Sequence, residues 1–289
     1  LIQRFLIVVR IRLSGKSAVL SKWSMSFPPL RGCRRPILRR PIWLKSWNKQ
    51  FLLKAFLFPR YASVGQGAGR RPLWCAGISV CSTKAFTSQL TVLALFTLYM
   101  ARLRHLSKEE GQQFLKELKH LPTKITQVLA QGSQIEAFAE KYARFEHFFF
   151  MGRRYMYPTS LEAALKLKEI SYLNANGYPA GEMKHGPIAL VNPDLAVIGL
   201  CGNLQTFDKM MSNLMEIKAR GGEILAFAPK GKEEVLTITK DVLWIPKAPD
   251  MLASILYSVA GQLFAYYIAK LRGTDIDQPR NLAKSVTVE

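Results

Sequence analysis

Acidic residues are missing from the first part of this chain. The 289-residue sequence carries 41 Lys and Arg against 20 Asp and Glu, a formal charge of +21, yet no Asp or Glu precedes Glu109. Residues 1–75 hold 16 of the basic residues, and the remainder holds 25 against 20 acidic ones, an ordinary balance. At average usage, so long a stretch without an acid has a chance on the order of one in ten thousand. The same segment gathers Trp23, Trp43, Trp47 and Trp74 and shows neither helical nor strand periodicity. It reads as a basic arm for nucleic acid or a membrane surface, as an Arg-rich targeting peptide, or as no selected protein sequence at all. The third reading is the expectation adopted: a disordered or non-native segment, such as a shifted reading frame or a wrongly assigned start gives. Nucleic acid and membrane, to which a net charge of +21 would normally point, are therefore not the expected partners.

Other absences narrow the class further. Cys33, Cys75, Cys81 and Cys201 form no CxxC pair and no metal-ligand spacing with the histidines. Reduced thiols in a cytoplasmic protein, with no metal, are the expectation. No secretory leader is expected, because Arg4 interrupts Leu1–Val9 and no small-residue cleavage site follows. Ala85–Ala101 is uncharged for 17 residues, the lower edge of membrane-span length. It contains Thr87, Ser88, Gln89, Thr91 and Thr97, so a buried helix of a soluble enzyme is predicted instead.

Periodic patterns begin near residue 76. Helices are predicted over 83–103, 108–118, 122–129, 134–142, 158–174, 207–220 and 251–271. Strands are predicted over 145–151, 195–200, 223–228 and 241–245, the second a continuous apolar run such as a buried parallel strand shows. Alternating strands and helices point to an α/β fold with a doubly wound parallel sheet, whose ligands sit at the carboxyl ends of the strands.

Three segments carry the chemistry. Glu162, Lys166 and Glu169, in EAALKLKEISY at 162–172, lie at i, i+4 and i+7 on one helix face, with Leu161, Leu165, Ala164 and Leu167 on the sides predicted to be buried. Glu162 also fits a capping box with Thr159. His185 stands in GEMKHGP at 181–187, where Gly186-Pro187 favours a turn that presents the imidazole from a loop. Lys284 stands among small and aliphatic neighbours in the polar tail Asp277–Glu289, DQPRNLAKSVTVE. His105, His120 and His147 read as surface or packing residues. Ser63-Val-Gly-Gln-Gly-Ala-Gly-Arg lacks the Walker ending and follows no credible strand, so it is not taken as a phosphate loop.

Together these segments resemble the end of the glutamine–fructose-6-phosphate aminotransferases (isomerising), which make glucosamine 6-phosphate. The resemblance runs from about Ser79 to Glu289. It implies two flavodoxin-like sugar-isomerase (SIS) domains and a tail reaching into the active site. By that comparison residues 76–105 are the remnant of a first SIS domain, 106–273 a complete second one, and 274–289 the catalytic tail. It further implies that Glu169 moves a proton between C1 and C2, that His185 opens the sugar ring in a neighbouring subunit's site, and that Lys284 forms a Schiff base. Lys166 is the cation beside them, and Val80, Ser82 and Ala283 line the sugar pocket. A homodimer acting on fructose 6-phosphate follows, with no metal or organic cofactor. The Ser/Thr-rich loop that cradles the phosphate and the glutaminase domain have no counterpart in the sequence. Impaired activity, and no nitrogen transfer from glutamine, are therefore the expectation for the chain as written; the alternative is a non-catalytic phosphosugar-binding module.

Overall fold

The computed structural model describes residues 79–283; the expectations placed on residues 1–75 and on Lys284 lie outside the described residues. Five strands form one sheet: β1 (His147–Gly152), β2 (Asn174–Pro179), β3 (Leu195–Leu200), β4 (Glu223–Pro229) and β5 (Val242–Ile245). They pair in the order β2-β1-β3-β4-β5, every pair parallel. This is the flavodoxin-like doubly wound order, with its switch point between β1 and β3. Six helices accompany the sheet: α1 (Lys84–Arg102), α2 (Lys108–Leu129), α3 (Gly132–Tyr142), α4 (Met156–Ser171), α5 (Phe207–Lys218) and α6 (Asp250–Leu271).

Both sheet faces are covered, which is why the central strands read as unbroken apolar runs. Successive residues alternate between faces. Phe148, Phe150, Ile198, Leu200, Leu225 and Phe227 pack into the core formed with α4 and α6. Phe149, Met151, Val197, Ile224 and Ala226 pack into a second core against α5. The long α6 anchors the first core and contacts α1, α2, α3 and α4. By length and composition it could cross a membrane, with mean hydropathy 1.4, but 67% of that stretch is buried inside the fold. A central core helix has the same composition.

Four local expectations are corrected. Residues 108–118 and 122–129 are one helix, α2, which continues through Pro122. An interior proline costs about 3 kcal/mol. The buried face of Leu118, Leu121 and Val128, packed towards α6, offsets that cost, as does the capping box in which Glu110 N–H donates to Ser107 Oγ and Ser107 N–H to Glu110 Oε2. Second, α4 begins at Met156, so Thr159 is inside it and donates to Tyr155 O rather than capping Glu162. Third, α4 stops at Ser171, and Asn174–Pro179 is an edge strand that sequence reasoning did not find. Its composition, NANGYP, is that of a turn; Gly177 suits the position because a Cβ there would meet the Leu161 backbone at 2.8 Å. Fourth, α1 is not a buried helix: only Ala94 and Leu98 are buried, while Leu93, Phe96 and Tyr99 are exposed.

Candidate active site

Helix α4 delivers the charged cluster. Gly152 ends β1, and the chain turns into α4 so tightly that a Cβ at Gly152 would lie 2.2 Å from Met156 O. From there α4 runs back past the sheet and ends just before β2 begins. Lys166 and Glu169 occupy its last two turns, near the amino ends of the strands. They are not in the crevice at the carboxyl ends, where doubly wound folds usually bind ligands. The direction of the helix sets them at the amino ends.

Lys166 Nζ lies 2.5 Å from Glu169 Oε2 and 3.8 Å from Glu162 Oε1. The first is a charge-assisted hydrogen bond; the second is an ion pair too long for one. The Lys166 side chain is only 4% exposed, that of Glu162 10% and that of Glu169 21%. Glu162 Oε1 is buried without a hydrogen-bond partner among the described residues. Burial holds the Glu162 carboxyl above the usual carboxylate range, against the lowering pull of Lys166. Of the flanking apolar residues, Ala164 and Leu167 are buried as expected, but Leu161 and Leu165 are each 43% exposed. Those two leucines point away from the core because the charged face, not the leucine face, turns inward.

The segment before α1 closes the cluster from the other side. The Cys81 thiol is buried beside Glu169; burial first, and then the charge on Glu169, push it up to about 11. Val80 N–H donates to Asp277 O (2.9 Å), and Ser79 Oγ donates to Ile276 O (3.2 Å) while accepting from Cys81 N–H (3.1 Å). The start of the tail is therefore tied to residues 79–81. It is tied to α4 as well: Thr274 Oγ1 donates to Ile170 O (2.5 Å), and Arg280 N–H donates to the Tyr172 hydroxyl (2.9 Å).

Of the residues singled out from sequence, the structure brings together Glu162, Lys166 and Glu169, while Val80 and Ser82 flank Cys81 in the bend beside them. Ser82 and Ala283 are both exposed. His185 is elsewhere. It ends a short 3-10 turn (Ala180–His185) beyond the carboxyl end of β2, its side chain 74% exposed and Nε2 3.8 Å from Glu182 Oε2. The six residues of β2 alone put about 17 Å between that turn and the end of α4. Sequence reasoning missed Cys81 and Tyr172 as neighbours of the cluster. The adjacency of Cys81 to Ser82 was the one available signal; for Tyr172 there was none. A separate groove of about 590 Å³ runs along α5, lined by Phe207, Met211, Met215 and Ile238 among others, and includes none of these residues.

Residues 141–272, which include α4 and all five strands, match the SIS domain family model. That match spans the first two of the three motifs, at 162–172 and 181–187, and stops before the tail. The chain's relatives are the glutamine–fructose-6-phosphate aminotransferases (isomerizing): it is 47% identical to that of Thermus thermophilus over 213 residues, which are 73% of this chain and 35% of the relative. It is 49% identical to the Pseudomonas syringae enzyme over 214 residues, again 73% of this chain and 35% of the relative. Among solved structures it resembles the C-terminal domain of glucosamine-fructose-6-phosphate aminotransferase from Francisella tularensis, with a TM-score of 0.68 and 39% identity, covering 71% of this chain and 58% of that one. The chain thus spans about a third of the length of the curated relatives it matches, and it matches their C-terminal part.

Proposed function

We propose that this chain is the sugar-isomerising part of an isomerising aminotransferase and acts on fructose 6-phosphate. The observation that carries the reading is the Lys166–Glu169 pair on α4, its lysine buried and its carboxylate half-buried, beside the Cys81 segment to which the start of the tail is tied. Turning a ketose phosphate into an aldose needs one carboxylate that takes a proton from C1 and returns it at C2. Glu169 has the partner for that task in Lys166, and its 21% exposure leaves it an open side. Lys284 is assigned the Schiff base: its amine adds to the C2 carbonyl and water leaves. Val80, Ser82 and Ala283 are assigned to the sugar pocket. Residues 76–105 are read as the remnant of a preceding SIS domain, 106–273 as the second, and 274–289 as the active-site tail. Transfer of nitrogen from glutamine belongs to the same proposal for the whole protein.

His185 is assigned to the site of a second copy, since it lies a strand's length from Glu169 in its own chain. Leu161 and Leu165, exposed on α4 beside the cluster, give such a copy an apolar surface to cover. The substrate class is tested by thermal unfolding of the full chain. Fructose 6-phosphate is expected to raise Tm with concentration, as a ligand of the native state must, and fructose is not. Equal shifts with both sugars, or none with either, would contradict a phosphosugar site.

A further inference from the structure

Tyr172 is the one residue of α4's end whose backbone and side chain both call for explanation. It closes the helix in the left-handed region, φ 63° and ψ 19°, with its N–H donating to Lys168 O. Glycine is the usual residue in that conformation, and a bulky side chain held there costs of order 1 kcal/mol. Gly221, Gly231 and Gly273 take positive φ elsewhere in this chain. A tyrosine is therefore retained at a place where glycine relieves strain, and such outliers concentrate where a side chain is needed.

Among the described residues the Tyr172 side chain has one hydrogen bond and one cation–π contact, and both go to the same tail residue. Its hydroxyl accepts the Arg280 N–H at 2.9 Å, and the Arg280 guanidinium lies 4.2 Å from its ring centroid, a cation–π distance. The other tethers act earlier in the tail, at Thr274, Ile276 and Asp277. Arg280 is thus the last described point at which side-chain contacts hold the tail, and four residues of chain reach no further than about 14 Å beyond it.

We propose that Tyr172 is a positioning residue: a clamp that fixes the active-site tail at Arg280. The clamp stands on the contacts above; only its catalytic consequence rests on the functional reading. The test uses the full chain and three variants. Tyr172→Phe removes the hydroxyl acceptor alone, Arg280→Ala the stacked cation alone, and Tyr172→Gly both contacts while relieving the backbone.

Peptide-resolved hydrogen exchange is the first readout. Exchange over residues 277–283 is expected to rise two- to tenfold in Tyr172→Phe, about one hydrogen bond's worth. It is expected to rise further in Tyr172→Gly, although Tm is held or raised there. Unchanged tail exchange in all three variants overturns the clamp, and so does a rise shared equally by the sheet peptides, which would make Tyr172 an ordinary packing residue. The second readout is borohydride trapping of fructose 6-phosphate, expected to slow in the order of tail exchange. If the wild type itself traps no sugar, the functional reading fails while the exchange result still decides the clamp. Trapping that stays at the wild-type rate when the tail is loosened overturns the positioning role.

Discussion

Glu169→Gln is expected to slow exchange of the C1 hydrogen of fructose 6-phosphate with solvent by about 10²- to 10⁴-fold, the usual contribution of a positioned general base. The amide keeps the size of the carboxylate, and it can still accept a hydrogen bond from Lys166, 2.5 Å from the carboxylate in the native chain. What it loses is the capacity to take a proton. The substitution therefore separates chemistry from binding: the phosphosugar-dependent shift should persist, on a Tm lowered by the charge left uncompensated on Lys166, which is 4% exposed. Proton NMR in deuterated water follows the exchange directly. Exchange at the wild-type rate in the variant would remove Glu169 from the mechanism and leave the Lys166–Glu169 pair as a structural ion pair.

Lys166→Ala is expected to be the most damaging single change to stability, about 3–5 kcal/mol, because it leaves charge uncompensated in a buried site. Lys166 stands between Glu162 and Glu169 and is itself 4% exposed. A surface pair would be worth under about 1 kcal/mol, so burial decides the magnitude. The loss should grow with pH. The folded-state pKa of Glu162 is already raised by burial. A carboxylate so raised binds its proton more tightly in the folded state, so its share of stability is present at low pH and is lost as pH rises through the folded pKa. Removing Lys166, which pulls that pKa down, widens the window. Urea unfolding at pH 4 and pH 7 reads both effects: a larger loss at pH 7 is expected, and a loss under 1 kcal/mol at both would show the three side chains to be well solvated. Glu162→Gln has the opposite sign and should flatten the fall of stability with pH.

These expectations show what the sequence made legible. The central strands were readable because burial on both faces forces continuous apolar runs, as at Leu195–Leu200, where all six residues are buried. The i, i+4, i+7 spacing correctly placed Glu162, Lys166 and Glu169 on one face. It could not say which way that face turned, and the leucines flanking it pointed to the wrong side. Strand β2 was hidden because an edge strand pairs on one side only and tolerates Asn, Gly and Pro. The two halves of α2 were separated by a proline whose local cost was outweighed by packing with α6, a contact distant in sequence. The clamp at Tyr172 was invisible for a similar reason: it joins residues 172 and 280, and no local pattern records a backbone strained to meet a distant partner.

The assignment of Lys284 joins the cluster on α4 to the tail, and it is the claim on which the rest depends. The most direct test is borohydride reduction of the full chain with saturating fructose 6-phosphate, followed by peptide mass mapping. The account predicts a reduced sugar adduct on Lys284 that is absent in Lys284→Arg. An adduct on Lys166 or on another lysine, or one that survives the substitution, would contradict it.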